Sequence, residues 1–145
     1  MEAEGIIVLI TRTEDQTVKK EARANEVKND RPHLFLAIHQ NSDGTKAKGT
    51  ETYITNQEPN DNDEAFARKV QAKVYGVVQE DNRNEGNPKE AGFVVIKHSL
   101  NGNTTSCLNE ATFISNPESE AKLKDDAYLD KIAEAMKQAI MDIDP

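Results

Sequence analysis

The sequence has a single cysteine, Cys107, in 145 residues. An internal disulfide framework and a zinc cluster with several cysteine ligands are therefore excluded. Only 7 glycines and 5 prolines are present, which excludes a collagen-like or broadly low-complexity chain. The longest uninterrupted apolar run, residues 6–10, is far too short to span a bilayer. The sequence therefore predicts no membrane-spanning segment.

Basic residues are outnumbered, with 18 Lys and Arg against 26 Asp and Glu and a formal net charge of −8. A general nucleic-acid-binding protein needs clustered basic side chains to displace counterions from phosphates, so this balance argues against that class. The first residues lack the basic region of a secretory signal, and the apolar run that follows is too short for its hydrophobic region. We therefore expect no export signal within this chain.

The length fits a single domain with a core of its own, and we expect residues 1–145 to form one α/β domain. Short runs rich in β-branched and aromatic residues predict strands at residues 6–11, 34–39, 49–55, 93–97 and 105–113. Helix formers and apolar residues at helical spacing predict helices at residues 18–29, 63–79 and 127–143. A further helix is predicted to begin at Asn116-Pro117-Glu118, since Asn caps and Pro suits the first helical position.

The order of these elements indicates the fold class. The first two strands and the helix between them predict a βαβ unit, which implies parallel strands and a right-handed crossover. We therefore expect a mostly parallel sheet of about five strands with helices on both faces. The polar segment of residues 80–88 is predicted to be an exposed and mobile loop.

One histidine, His39, ends the apolar strand at residues 34–39, and a polar loop follows it. In open α/β sheets ligands bind at this edge, because loops and helix ends converge there. His39 is therefore a candidate for metal or ligand binding. The alternative is a histidine that only caps the strand end by hydrogen bonding, and the sequence alone does not separate the two.

One carboxylate, Glu110, lies inside a segment otherwise composed to be buried, residues 106–114. A buried, unpaired carboxylate is costly, and its pKa tends to rise. Such a group is retained where a metal or a proton-transfer task compensates for the cost. The alternative is a structural carboxylate paired with a nearby cation such as Arg12.

Several stretches of this chain occur in an order and spacing typical of one family. They are Leu9-Ile10-Thr11-Arg12, Ala22-Arg23-Ala24-Asn25, residues 34–42 with Ile38-His39-Gln40-Asn41, Gly49-Thr50-Glu51-Thr52-Tyr53, and residues 109–118 with Asn109-Glu110-Ala111 and Ser115-Asn116-Pro117-Glu118. Together they resemble the zinc-dependent N-acetylmuramoyl-L-alanine amidases, and the resemblance covers residues 6–143. An unrelated α/β hydrolase or metalloprotein is not expected to share all of these stretches in this order.

The resemblance implies a zinc ion held by two histidines and one glutamate, with a second glutamate acting as base. It assigns His39 as one zinc ligand and Glu110 as the catalytic carboxylate, and it names no substrate-binding residue. The implied reaction is hydrolysis of the amide that joins the lactyl group of N-acetylmuramic acid to L-alanine in peptidoglycan. It also implies action in the cell envelope, either periplasmic or extracellular, on peptidoglycan or a muropeptide.

Two departures from the family pattern affect these expectations. The family's other histidine and glutamate ligands lie upstream of the strand that residues 6–11 resemble, so we expect this chain to lack the first strand and helix of the family domain. Neither His33, about 20 Å from His39 along the same strand, nor His98 is expected to replace them. We therefore expect weak zinc binding and little amidase activity from this chain alone. Thr112 also stands where the family has glycine.

A second function remains open on these grounds. A non-catalytic or incomplete homologue would bind a muropeptide or a protein partner through the same cleft. Zinc content distinguishes the two interpretations, because an enzyme of this kind needs about one zinc ion per chain.

Overall fold

The computed structural model of the protein describes residues 5–143. Its strands are β1 (Leu34–Asn41), β2 (Glu51–Thr55), β3 (Lys89–Ala91) and β4 (Thr105–Phe113). They form a 4-stranded sheet in the order β1-β4-β2-β3. Strand β4 is parallel to β1 and antiparallel to β2, while β2 and β3 are parallel. The sheet is therefore mixed, with its two longest strands side by side in parallel.

The helices cover both faces of this sheet. They are α1 (Lys20–Asp30), α2 (Asp61–Val78), α3 (His98–Asn101), α4 (Pro117–Lys122) and α5 (Asp126–Met141). Helices α2 and α5 pack together on one face. A 3-10 turn at Val94–Ile96 lies on the other face, and α1 and α3 pack around this turn. The expectation of a single α/β domain with helices on both faces of the sheet is thereby confirmed.

The larger hydrophobic core lies between α2, α5 and the sheet. Phe66, Val70 and Val74 form a fully buried stripe along α2, as their spacing in the sequence predicts. Burying each such side chain stabilises the fold by about 1.5–3 kcal/mol. The smaller cluster on the opposite face contains Ala37, Val95, Ile96 and Leu108. Together the two clusters hold the central strand β4 rigidly from both sides.

Side-chain caps set the start of two helices. The side chain of Asn60 accepts from the backbone N–H groups of Asn62 and Asp63 at the start of α2, and Asp63 completes a capping box. At the start of α4, Asn116 accepts from Glu118 and Ser119, which confirms the helix predicted there. Helix α4 therefore begins at a fixed distance beyond the end of β4.

The predicted strand at residues 6–11 is wrong. These residues carry no β-ladder, and Ile7 and Ile10 are 87% and 66% exposed. An apolar, β-branched run favours a strand only where a neighbouring strand accepts its backbone hydrogen bonds, and no described strand does so here. Helix α1 is consequently not the crossover of a βαβ unit, and the predicted unit is wrong with it.

The predicted strand at residues 93–97 is also wrong. Val94–Ile96 form a 3-10 turn, with Val95 and Ile96 buried against Ala37 and Leu108 of the sheet. The sheet gains instead the short strand β3, which is polar and carries no strand signal. A continuous apolar run indicates burial but does not by itself distinguish a strand from a helical turn. These differences give a mixed sheet of four strands rather than about five, mostly parallel.

The segment of residues 80–88 is better anchored than its composition predicts. The side chain of Asn84 is buried and bonds the backbone of Thr52 in both directions, accepting from its N–H and donating to its C=O at 2.9 Å. The Glu80 carboxylate is also nearly fully buried. The exposed loop expected from the sequence is therefore held against β2.

Candidate active site

His39, Glu110 and Glu51 lie side by side across three neighbouring strands, and we call them the polar row. In the sheet register His39 of β1 is paired with Glu110 of β4. Glu110 is paired in turn with Glu51 of β2. Paired residues of neighbouring strands point to the same face of a sheet. The structure thus brings together the two site residues predicted from the sequence and adds a third.

A bulge follows directly after this row. Strands β1 and β4 are in regular register up to His39 and Glu110, and beyond it Asn41 is paired with Phe113. The extra residue lies on β4, where the backbone N–H of Thr112 donates to the Gln40 side chain at 3.1 Å. Bulges change the direction of side chains and end regular pairing. This one shifts the register of β1 against β4 directly after the polar row.

Glu110 is a buried carboxyl group without a partner. The residue is 9% exposed, and its Oε2 has no hydrogen-bond partner among residues 5–143. Burial, together with the negative charge of Glu51, raises the pKa of Glu110 to about 7. Arg12, the alternative partner, donates instead to the carbonyl of Gln16 at 3.4 Å. A carboxyl group that exchanges a proton near neutral pH suits general acid–base chemistry.

His39 is half-buried at its end of the row. Burial lowers the pKa of its imidazole, and the positive charges of Arg23 and Lys20 on α1 lower it further. The ring is therefore kept neutral at physiological pH. A neutral imidazole is the form that binds metal ions.

Glu51 differs from Glu110 because several donors surround its carboxylate. Tyr53 donates its hydroxyl at 2.9 Å and Arg83 its Nε–H at 3.1 Å. Lys89 Nζ and the amide of Asn41 also donate to it. Burial by itself raises the pKa of Glu51, but the hydrogen bonds from Lys89, Tyr53 and Arg83 outweigh burial and lower it. Glu51 consequently stays ionised beside Glu110.

These donors to Glu51 were missed in the sequence. Glu51 and Tyr53 share a face because residues two apart on a strand do, and this alternation is a usable signal. Arg83 and Lys89 come from the segment interpreted as a loop and from β3, which has no strand pattern. Nothing in the sequence alone indicates that these two cations converge on a strand residue more than thirty positions earlier.

The other two histidines lie outside the row. His33 is exposed just before β1. His98 has its Nε2 at 2.9 Å from Oδ2 of Asp63, whose Oδ1 accepts from the backbone of Ser106 near the start of β4. Neither residue lies in the polar row with His39.

The polar row fits one side of a metal site. It offers a neutral imidazole beside a carboxylate whose Oε2 is unpartnered, which suits a borderline cation such as zinc. Within residues 5–143, however, no group of three His, Cys, Asp or Glu side chains is placed to hold a metal ion. A complete three-ligand site therefore needs donors beyond those that this part of the chain supplies.

Comparison with known proteins identifies the family. Residues 1–142 match the family described as N-acetylmuramoyl-L-alanine amidase. The chain belongs to this family. It is 31% identical over 137 residues to N-acetylmuramoyl-L-alanine amidase LytC of Bacillus subtilis (strain 168), and 30% identical over 140 residues to protein YqiI of the same strain. These matches cover 94% and 97% of this chain.

A solved structure gives the same result for the fold. The N-acetylmuramoyl-L-alanine amidase of Clostridium difficile 630 superposes with a TM-score of 0.84 at 27% identity, covering 93% of this chain and 70% of that one. The chain spans 26% of the length of LytC and 65% of the length of YqiI.

No helix in residues 5–143 has the length and apolar character needed to cross a membrane.

Proposed function

We propose that the polar row is the catalytic face of a peptidoglycan amidase, which hydrolyses the amide between the lactyl group of N-acetylmuramic acid and L-alanine. The observation that carries this proposal is the buried Glu110, whose Oε2 has no hydrogen-bond partner among residues 5–143 and which lies between His39 and an ionised Glu51. Family membership supports the same reaction. Since substrates of this kind lie in the cell wall, the proposal includes action in the cell envelope or outside the cell.

Glu110 carries the proton in this proposal. A water molecule attacks the amide carbonyl carbon while the Glu110 carboxylate accepts one of its protons. The protonated Glu110 then donates to the nitrogen of L-alanine, and the C–N bond breaks. The products are a lactyl carboxylate and a peptide with a free amino terminus. A pKa of about 7 suits both halves of this cycle, because neither transfer is then strongly uphill.

His39 contributes a metal ligand in this proposal. The family is generally metal-dependent, and we propose that the metal is zinc, held by the imidazole of His39 together with donors that residues 5–143 do not supply. Bound zinc acts as a Lewis acid that polarises an amide carbonyl and makes water more acidic. The positive charges of Arg23 and Lys20 help by keeping the His39 imidazole deprotonated and available.

The decisive experiment separates the roles of the two residues. Glu110→Gln keeps the shape of the side chain but removes the proton acceptor, so we expect turnover to fall by roughly 10²–10⁴-fold with folding and zinc content unchanged. His39→Ala should lose zinc and activity together. Muropeptide release and zinc content are measured for each variant, in any form of the protein that shows turnover. The matched control is Glu120→Gln, which changes an exposed glutamate side chain.

Two outcomes would contradict these assignments. Normal turnover in Glu110→Gln would show that Glu110 is structural, and loss of zinc in that variant would make it a ligand rather than the base. A second candidate function, a muropeptide-binding domain without catalysis, is favoured by the incomplete donor set of residues 5–143. Muropeptide binding without turnover at saturating zinc would support that candidate.

A further inference from the structure

Arg83 has a fixed guanidinium group with unused hydrogen-bonding capacity. Its Nε–H donates to Glu51, and its Cζ lies 4.9 Å from the centroid of the fully buried Phe113 ring. Within residues 5–143 its two Nη groups make no hydrogen bond. The guanidinium is thus anchored through its Nε–H and lies over an aromatic ring. Its Nη pair, which is suited to bidentate carboxylate binding, is unused by the residues that the structure describes.

Lys89 adds a second positive charge at the same place. Its Nζ contacts the same Oε2 of Glu51 that Arg83 contacts, and it lies 5.7 Å from the centroid of the Tyr53 ring. Two cations therefore share one carboxylate oxygen, in a chain whose formal net charge is −8. Glu51 itself balances one of these two charges, so a ligand carboxylate has a second cation to pair with.

Both cations are accessible to a ligand. Their side chains are about one-third exposed, at 34% for Arg83 and 36% for Lys89. Both line an open cavity of about 420 Å³, together with Asp81, Asn82 and Glu85. Asp81 and Glu85 are exposed, so solvent screens their charges more than those of the anchored pair.

We propose that Arg83 and Lys89 form a carboxylate-binding subsite for the stem peptide of the substrate, an inference that rests on the proposed function. Glu51 connects this subsite to the polar row, because its backbone is paired with Glu110 and its carboxylate contacts both cations. The subsite therefore adjoins β2, the strand next to the one that carries Glu110. A peptide advances about 3.3–3.6 Å per residue, so only the first residues after the scissile amide reach a neighbouring strand. Within the proposal we assign the bound carboxylate to the residue directly after L-alanine.

The test compares two synthetic muramyl tripeptides that differ at one group. One carries a free α-carboxylate on the glutamate after L-alanine, and the other carries a carboxamide there. Dissociation constants are measured by calorimetry on the full chain in chelator, so that neither ligand is consumed. We expect the carboxylate form to bind more tightly by on the order of tenfold, as a charged bidentate hydrogen bond allows.

Variants of Arg83 and Lys89 test whether these two side chains cause the tighter binding of the carboxylate tripeptide. Arg83→Gln should abolish it, while Arg83→Lys, which keeps the charge but not the planar fork, should retain only part of it. Lys89→Gln should weaken it. Lys124→Gln is the matched control, since this exposed lysine pairs with Glu120 on α4, and the preference should be unchanged there. Each Arg83 variant leaves Glu51 paired with Lys89, so the fold is kept.

Three results would overturn the subsite: equal affinity for the two tripeptides, no measurable binding of either, or an undiminished preference in Arg83→Gln. The proposed function is judged separately, by turnover of the Glu110→Gln variant. Normal hydrolysis of both tripeptides at equal rates would overturn the subsite alone.

Discussion

Glu110 and Glu51 are carboxylates on neighbouring strands whose surroundings move their pKa values in opposite directions. Both are buried, but only Glu51 is surrounded by donors. Its retained charge adds to the burial of Glu110 and raises the pKa of that group to about 7. A pair of titratable groups with separated pKa values is a general way to assign one proton carrier and one fixed charge.

This difference predicts a pH dependence of stability. The pKa of Glu110 is about 7 in the folded protein and 4.5 ordinarily. Between these values the unfolded chain releases the proton while the folded protein keeps it, so the contribution of Glu110 to stability is present below about pH 4.5 and is lost as pH rises to about 7. Glu110→Gln removes this titration. We therefore expect the variant to gain stability relative to the wild type across that window.

Urea unfolding in the presence of a chelator measures the effect. The difference in the free energy of unfolding between Glu110→Gln and the wild type should grow with pH up to about 7 and then level off. The exposed Glu120→Gln should follow the wild type. If the free energy of unfolding changed with pH in the same way in Glu110→Gln and the wild type, Glu110 would titrate normally.

At the scale of elements, Glu80 joins four parts of the fold just after the end of α2. Its carboxylate accepts from the backbone N–H of Gly49 before β2 at 3.0 Å and from the hydroxyl of Thr112 in β4 at 2.9 Å. It also accepts from Ser119 and Lys122 of α4. The Thr112 hydroxyl thus has a buried partner in Glu80. The contact holds the bulge two residues beyond Glu110.

We predict that Glu80→Ala destabilises the protein by about 2–3 kcal/mol, because several donors lose their acceptor in a buried setting. The matched control is Glu120→Ala, since the Glu120 side chain is exposed on α4 and forms a surface ion pair with Lys124 at 3.0 Å. That change should cost at most about 0.5 kcal/mol. Thermal and urea unfolding measure both. Similar small losses in the two variants would show that Glu80 does not join these elements energetically.

Elements with a strong local signal were predicted well from the sequence. Helix α2 follows from its apolar stripe, α4 from the Asn-Pro cap, and β4 from a run that the structure places at the predicted residues 105–113. The two wrong strands, at residues 6–11 and 93–97, are apolar runs whose burial or pairing depends on partners elsewhere in the chain. Strand β3 is short and polar, so only its pairing with β2 defines it.

In the candidate site, too, the residues with a local sequence signal were predicted and those that depend on distant partners were not. His39 and Glu110 were found because each is a polar group at the end of, or inside, an apolar strand. Their direct pairing depends on the register of β1 against β4, which the sequence does not specify. The surroundings of Glu51 depend on long-range folding of residues 80–89 against β2. Local pattern therefore identified the candidate site residues, while the groups that shift the pKa of Glu51 required the tertiary structure.

At the scale of the whole molecule, zinc affinity depends on how many donors surround the ion. Residues 5–143 provide His39 beside Glu110 but no three-donor group, and one imidazole gives far less affinity than the three-ligand sites that hold catalytic zinc. We predict that the 145-residue chain loses zinc on dialysis against a mild chelator and shows little amidase activity. Metal analysis after dialysis and a muropeptide-release assay measure the two, with His39→Ala as the control for residual binding. About one zinc per chain with full, chelator-sensitive activity would contradict this, and a dependence of that activity on protein concentration would then identify a second chain as the source of the remaining donors.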